Sequence, residues 1–304
     1  MIGASCKHTR RGSWTIAVIT LATALFGAHT AWTVSAPSSA HAEGSGDVLS
    51  LGGSVTEIVA ALGQEHRLKA RDTTSSYPPS VTDLPDVGYV RALSPEGVLA
   101  VNPSLIVAEE GAGPPEALEV IRAARIDYVE VPEAYSRDGI LRKIEVVGDA
   151  LGVSDRAEEL AEDVGARLSA AMAEAERAEA DKRRVLFIIS ANGGKITASG
   201  SGTAADAIIR MAGGVNAVTS FDGYKQMSDE ALAAAAPDAI LMMDRSGDHA
   251  VDDEELLSLP AMRLTPAAET RDVIRIDGLL LLGFGPRTAQ AVTELSGALY
   301  GGEG

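Results

Sequence analysis

The spacing of apolar residues changes repeatedly along the chain between the period of a strand and that of a helix. A short apolar run, VLSLGG from Val48, is followed by SVTEIVAALG, whose apolar residues recur every three to four positions. Ser54 and Glu57 form a capping-box pattern at the start of this helix, and Gly63 suits its end. Similar alternation continues as far as VEVP at 129–132 and predicts an α/β unit with a mostly parallel sheet.

Three further segments of this unit have recognisable patterns. SLIVAEE (104–110) and RIDYVEVP (125–132) are apolar enough for buried strands, and SPEGVLAVNP (94–103) has the pattern of a helix. The segment before this helix, LPDVGYVRALS, contains Tyr89 and Arg91 in a stretch bounded by proline and glycine. This composition predicts a loop.

The middle of the chain, from about Arg137 to Lys182, is helical in pattern and has no strand signal. Ser154 is placed to cap its second helix, which continues for about 25 residues without a breaking residue. The apolar stripe lacks the Leu/Ile repeat that a coiled coil needs, so we expect a rigid span between two lobes.

A second α/β unit begins at VLFIIS (185–190). The helices TAADAIIRMAGG and SDEALAAAA and the strands DAILMM and DVIRID follow, and a last helix opens with Pro286 near its first position and runs to Leu299. The sequence therefore predicts two α/β lobes and one long connecting helix, with boundaries at 43–136, 137–182 and 183–304.

The first 42 residues have the features of an export signal. Lys7, Arg10 and Arg11 precede an apolar run over 14–31, and Ala40–Ala42 has the small-x-small pattern of a cleavage site. A membrane anchor is the alternative, but Thr, Gly and His interrupt the run. The one cysteine precedes the run, so no lipid-attachment cysteine follows it. We expect removal of this segment and a periplasmic location.

Removal of the signal changes the charge and the chemistry. It takes away three basic residues and no acidic one, which moves the formal net charge from −17 to −20. Such a chain repels phosphate and is not expected to bind nucleic acid. His66 and His249 are the histidines that remain, and they support neither a structural zinc site nor a Ser-His-Asp set. We therefore expect a binding protein whose ligand sits between the lobes, and not an enzyme.

Most of the exported chain resembles the periplasmic haem-binding proteins of bacterial haem-uptake ABC transporters. The resemblance rests on DTTSSYPPSVTDLPDVGYVRALSPEGVLAVNPSLIVAEEGAGPPEAL, on SGSGTAADAIIRMAGGVNAV and on DGLLLLGFGPRT. It implies the class III periplasmic binding protein fold, two Rossmann-like lobes joined by a single long helix with little hinge motion. It also implies that the tyrosine of G-Y-x-R, here Tyr89, ligates the haem iron with Arg91 as its supporting residue.

The chemistry of these two side chains agrees with that role. Ferric iron favours a hard anionic oxygen, and tyrosinate is a known haem ligand. A nearby guanidinium favours the phenolate over the phenol, whose pKa is otherwise about 10. The alternation of an extended segment would point Tyr89 and Arg91 the same way. Tyr77, in SSYPP, is the competing tyrosine and a candidate wall of the pocket.

Haem also carries two carboxylates, which a protein of this charge has to meet with local donors. The candidates are Arg91 itself, Lys225 in DGYKQMS, Arg245 in MMDRSG, and the helix start at Gly202 and Thr203. The text after Arg245 departs from the glycine-rich turn of the family. Some relatives add a second-lobe histidine as an iron ligand. This chain has SANGGKIT there, so we expect one protein ligand.

The resemblance further implies a monomer that delivers haem to the permease and ATPase of an ABC transporter. One glutamate of each lobe would dock on the permease, and these lie near Glu57 and Glu230, although a glutamate at a helix start is explained equally well by capping.

Two alternatives remain open. A ferric siderophore or corrinoid carrier has the same fold, but neither ligand needs a phenolate. A dinucleotide-dependent enzyme would use GSGTAA (200–205), although the nearest predicted buried strand ends ten residues earlier, near Ser190.

Overall fold

The architecture follows the predicted alternation, and a computed structural model describes residues 46–244 and 251–301. The strands are β1 (Val48–Leu51), β2 (Leu68–Arg71), β3 (Leu105–Glu109), β4 (Asp127–Val131), β5 (Arg184–Ser190), β6 (Thr197–Ser199), β7 (Val215–Asn216), β8 (Tyr224–Gln226), β9 (Ala239–Asp244) and β10 (Val273–Asp277). The helices are α1 (Gly53–Ala61), α2 (Pro95–Ala100), α3 (Pro115–Ala123), α4 (Arg137–Leu151), α5 (Ser154–Ala175), α6 (Ala204–Met211), α7 (Asp229–Ala235), α8 (Asp253–Ser258), α9 (Pro266–Thr270), α10 (Gly278–Leu282) and α11 (Thr288–Tyr300).

The first sheet is parallel throughout and has the strand order β2-β1-β3-β4. Leu49 of β1 pairs with Ile106 of β3, and both are fully buried because helices cover the two faces of the sheet. The prediction of a buried strand was wrong for β4, most of whose residues are partly or fully exposed. Its place at the edge of the sheet explains the exposure.

The second sheet is mixed, with the order β10-β9-β5-β6-β8. Strands β10, β9 and β5 are parallel, whereas β6 and β8 are antiparallel to their neighbours, and β7 pairs with β5. The parallel strands are those that the sequence predicted. The apolar pattern did not reveal β6, β7 or β8, which have only two or three residues each and were not recognised as strands.

Three helix starts differ from the sequence prediction. Gly52 precedes α1 and no side chain caps it, so the capping box expected from Ser54 and Glu57 does not form. Ser154 is the first residue of α5 and its hydroxyl donates to Asp149 at 2.7 Å instead of capping. Helix α11 begins after Pro286, at Thr288. In the first two cases the side chain has a tertiary or inter-helix partner.

The part up to residue 136 is called the first lobe below, and the part from 183 the second lobe. Between them, α4 ends at Gly152, which has a φ of 72°, and α5 continues unbroken for 22 residues. One buried apolar cluster, here the shared core, joins both lobes: it includes Val55 and Ile58 of α1, Ile144 of α4, and Phe187 and Leu241 of the second sheet. Two other clusters are each confined to one lobe. Among the helices of the described ranges, none is long and apolar enough to cross a membrane.

Candidate functional site

Tyr89 lies on a loop that follows β2 and that is firmly attached to the first sheet. The guanidinium of Arg71, the last residue of β2, donates to the carbonyls of Asp72, Val81 and Thr82 and to the Asp86 carboxylate. Asp86 in turn accepts from the backbone N–H of Gly88 at 2.8 Å. The loop is therefore fixed just before the tyrosine.

The phenol of Tyr89 points to solvent from this fixed loop. Its side chain is 47% exposed, one of the few large apolar side chains of the described residues with such exposure. The preceding Gly88 has a φ of 99°, a backbone conformation that favours glycine. The N–H of Ala92 donates to the carbonyl of Tyr89 at 2.8 Å. Tyr89 therefore starts a turn, and the expectation that Tyr89 and Arg91 share one extended segment was wrong.

Arg91 turns towards the end of β3. Its guanidinium lies 3.5 Å from the carboxylate of Glu109, and the Arg91 side chain is about half exposed. A methyl group added to Gly111 would come within 2.9 Å of the same guanidinium, which shows how closely the arginine crosses the loop after β3. Within the described part of the chain, no hydrogen bond joins Arg91 to the Tyr89 hydroxyl. The acidic partner Glu109 was not anticipated from the sequence.

Glu109 belongs to a group of charged side chains at the carboxyl edge of the first sheet. Burial raises its pKa, and the ammonium of Lys143 acts in the opposite direction. Lys143 is fully buried, 2.8 Å from the Glu133 carboxylate, and donates to the carbonyl of Gly283 at 3.2 Å. Glu133 lies in the first lobe and Gly283 in the second, so this lysine links the charged group at the sheet edge to both lobes.

Tyr77 is covered by an arginine that is distant in sequence. The Arg287 guanidinium carbon lies 3.6 Å from the centre of the Tyr77 ring, which fits a cation–π contact. Arg287 follows α10 in the second lobe, whereas Tyr77 lies in a loop of the first. The sequence shows no basic residue two positions from Tyr77, and nothing local could have indicated this partner.

Glu57 is not at the surface, so the prediction of a docking role for it was wrong. Its side chain is 5% exposed and accepts from the backbone N–H and the Nε of Arg287, each at 3.0 Å. Burial raises the pKa of Glu57, and Arg287 opposes this shift. Glu57 therefore joins the two lobes and is not available to a partner.

Glu230 is exposed at the start of α7, as expected. A hydrogen bond from its own backbone N–H lowers its pKa, and the hydroxyl of Ser228 acts in the same direction. Glu96 has the matching position in the first lobe, two residues after the capping Ser94 at the start of α2. The Ser94 hydroxyl donates to Glu96 at 2.7 Å and lowers its pKa. The repeated pattern Ser-x-Glu at a helix start could have identified this pair.

Gly202 and Thr203 do not offer free donors to a propionate. Thr203 is buried and is the capping residue of α6, because its hydroxyl accepts from the N–H of Asp206. The N–H of Gly202 donates to the Asp206 carboxylate at 3.1 Å. A carboxylate of this chain thus already occupies the helix start, and it would repel a second anion. The same contacts argue against a pyrophosphate at GSGTAA, which follows the antiparallel strand β6 instead of a parallel one.

Lys225 lies over a ring of the second lobe, and its role as a propionate contact stays a prediction. Its ammonium lies 5.2 Å from the centre of the Phe221 ring, and Phe221 packs on a cluster made of second-lobe residues. The neighbouring Tyr224 points to the opposite face of the strand, where its ring centre lies 6.4 Å from that of Phe187. Arg245 and His249 lie outside the described residues, as does the predicted export signal.

Comparison with known proteins identifies the family. Residues 48–279 match the family described as "Periplasmic binding protein". The structure is similar to the periplasmic heme-binding protein RhuT from Roseiflexus sp. RS-1 in its apo form, with 39% identity, a TM-score of 0.81, and coverage of 85% of this chain and 99% of that one.

Two other proteins are similar over most of the chain. The periplasmic heme-binding protein BhuT in complex with two hemes has 39% identity and a TM-score of 0.78, and the similarity covers 83% of this chain and 97% of that one. The ABC transporter substrate-binding lipoprotein YvrC of Bacillus subtilis, itself uncharacterised, is 27% identical over 83% of this chain and 79% of its own. With its two α/β lobes and a single long helix between them, the chain belongs to the periplasmic binding protein family, and its fold is that of class III.

Proposed function

We propose that this protein binds ferric haem between its two lobes, with Tyr89 as the iron ligand, and delivers it to an ABC-transporter permease. The observation that carries the proposal is the exposed phenol of Tyr89 on a loop held by Arg71 and Asp86. The side chain is accessible to a ligand because about half of it is exposed, and the contacts of Arg71 and Asp86 fix its loop. The heme-binding names of RhuT and BhuT, each 39% identical, support haem over other ligands of this fold.

Arg91 belongs to the same loop as Tyr89, and its guanidinium pairs with the Glu109 carboxylate. Glu109 keeps the guanidinium at the carboxyl edge of the sheet, where ligands of α/β folds bind. Arg91 can also pair with a haem propionate, because half of its side chain is exposed.

Titration of the exported chain with haemin, followed by visible absorbance, tests the proposal. We expect a Soret band and the charge-transfer band of a high-spin ferric tyrosinate complex. Tyr89→Phe should remove the charge-transfer band and weaken binding at least about tenfold, since the iron loses its anionic ligand. Tyr128→Phe is the matched control, because Tyr128 is on β4 and its ring lies under Arg122. This variant should change neither the charge-transfer band nor the affinity.

A Tyr89→Phe protein with the absorbance and affinity of the parent would refute the assignment of the ligand. Titrations with cyanocobalamin and with a ferric siderophore test the alternative carriers of this fold. Saturation by either one in preference to haemin would replace the proposal. The end point of the haemin titration also gives the stoichiometry, which is two in the BhuT structure.

The delivery step needs surface groups on both lobes, and we assign it to Glu96 and Glu230. Each glutamate lies at the second position of a short helix after a capping serine, and each is fully exposed. Both carboxylates stay ionised because local hydrogen bonds lower their pKa. One fixed negative charge per lobe suits a permease that presents arginines. The protein itself carries out no catalysis, and the export signal takes it to the periplasm.

A further inference from the structure

Tyr224 is an exposed aromatic residue that the proposed function does not yet use. Its side chain is 40% exposed, in a chain of which only 4% is aromatic. Other tyrosines have evident structural partners: Tyr300 donates its hydroxyl to the carbonyl of Gly213 at 2.8 Å, and Tyr128 lies beneath Arg122. The ring of Tyr224 is anchored on one side and open on the other.

Strand register determines which way the ring points. Tyr224 pairs with Ser199 of β6, and Lys225 pairs with Ala198. Ala198 belongs to the cluster confined to the second lobe, so Lys225 lies over that face of the sheet. Tyr224 lies on the other face, edge-on to Phe187, which is part of the core shared with the first lobe. The sheet therefore places the tyrosine on the face that carries the shared core and the lysine on the opposite face.

The electrostatics of the first lobe extend to this ring. The charge of Arg91 opposes the effect of burial on the pKa of both Tyr224 and Tyr135. Tyr135 itself packs on Phe284 of the second lobe, with ring centres 5.2 Å apart. Tyr135 thus lies where the lobes meet, and the charge of Arg91 acts on it and on Tyr224, although the three residues are far apart in sequence.

The surroundings of Tyr224 keep it a neutral phenol. Burial raises its pKa, and the hydroxyl of Thr203, the N–H of Ala205 and the charge of Arg91 offset this shift only in part. A phenol that resists ionisation is a poor ligand for ferric iron, but its ring remains a flat apolar surface suited to a porphyrin. The edge-on contact with Phe187 gives the ring a defined orientation.

We propose that the Tyr224 ring is the contact of the second lobe with bound haem, packing against the porphyrin while Tyr89 holds the iron from the first lobe. This inference rests on the proposed function and adds a residue that determines affinity for the macrocycle independently of the metal. It also explains how the second lobe contributes to binding although SANGGKIT has no histidine.

The test compares Tyr224→Ala and Tyr224→Phe with the parent, using haemin and metal-free protoporphyrin IX as separate probes. Tyr224→Ala should weaken binding of both porphyrins by about tenfold, because the packing surface is lost for each. Tyr224→Phe keeps the ring and should bind both as the parent does, with the charge-transfer band intact. Tyr89→Phe should weaken haemin binding much more than binding of the metal-free porphyrin.

Each outcome decides the matter. Unchanged affinity of Tyr224→Ala for both porphyrins would overturn the inference and leave the proposed function standing. Loss of the charge-transfer band in Tyr224→Phe would make Tyr224 an iron ligand, which also overturns it. A parent that binds neither porphyrin would refute the inference together with the proposed function. Tyr128→Ala controls for loss of a tyrosine elsewhere, and Tyr224→Leu replaces Tyr224→Ala should the latter fail to fold.

Discussion

Single residues connect parts of this protein that are far apart in sequence, and Arg287 is the clearest case. Its guanidinium and backbone N–H hold the buried carboxylate of Glu57, and its flat face covers the ring of Tyr77. Both partners belong to the first lobe. One second-lobe side chain therefore fixes α1 and the loop before Pro78 at the same time.

Removing this arginine should destabilise the protein strongly. Arg287→Met leaves the Glu57 carboxylate buried without its counter-ion, which costs about 3 kcal/mol of the free energy of unfolding. The double variant Glu57→Gln, Arg287→Met should recover most of that loss, because no buried charge remains. Urea unfolding at neutral pH measures both values. Equal stability of the parent and the single variant would contradict the assigned role.

A second residue-scale prediction concerns pH. Burial holds the pKa of Glu109 above its ordinary value of 4.5, against the charges of Lys143 and Arg91 and with those of Glu133 and Asp72. A raised pKa in the folded state favours folding below pH 4.5 and loses that contribution as the pH rises. Glu109→Gln should therefore become more stable relative to the parent between pH 4.5 and 7. A difference independent of pH would show that Glu109 titrates normally.

The residues of the site differ in how well the sequence could reveal them. Tyr89 and Arg91 lie in one short motif, so their neighbourhood was visible, although the turn between them was not. Glu109 reaches Arg91 only because β3 ends beside the tyrosine loop. The sequence indicated Lys225 and gave no sign of Tyr224. The register of β6 and β8 puts the two side chains on opposite faces of the sheet, and the apolar pattern does not reveal these strands.

At the scale of elements, α2 of the first lobe and α7 of the second lobe begin in the same way. Each begins with a capping serine followed two positions later by an exposed glutamate. We expect Glu96→Gln together with Glu230→Gln to bind haemin like the parent, because neither side chain lies in the site. Uptake by a reconstituted transporter should fall by at least about tenfold when both charges are lost.

The control for this experiment is Glu174→Gln with Glu294→Gln, which removes two charges from helices outside α2 and α7. Uptake at the rate of the parent by the Glu96 and Glu230 variant would exclude a docking role. A loss of haemin binding would instead place these residues in the site.

Elements with strong apolar patterns were predicted well, and elements without them were not. Strands β1, β3, β5 and β9 are buried apolar runs whose pattern could be recognised without a structure. Strand β8, YKQ, is exposed at the edge of its sheet and gains its pairing only from β6. Its formation depends on tertiary contacts that a local pattern does not contain.

At the scale of the whole molecule, the shared core makes the lobes one folding unit. Gly53 at the start of α1 lies against Leu279 of the second lobe so closely that an added methyl would overlap the leucine and come within 2.7 Å of the Thr74 carbonyl. Gly53→Ala should cost about 2 kcal/mol of the free energy of unfolding. Gly297→Ala is the control, since a methyl there meets nothing within 4 Å.

We expect circular dichroism and tyrosine fluorescence to report one coincident unfolding transition for the parent and for both glycine variants, because the lobes share a core. Two separate transitions would mean that each lobe folds alone. A Gly53→Ala protein as stable as Gly297→Ala would show that the contact between Gly53 and Leu279 is loose.

The bond from Lys143 to the carbonyl of Gly283 has a consequence for how cargo leaves. A hydrogen bond from a fully buried ammonium across the two lobes opposes their separation, so on the proposed function it slows the unassisted release of haem. On that function, the free energy that separates the lobes comes from the transporter at hand-over, and the membrane complex sets the time of release.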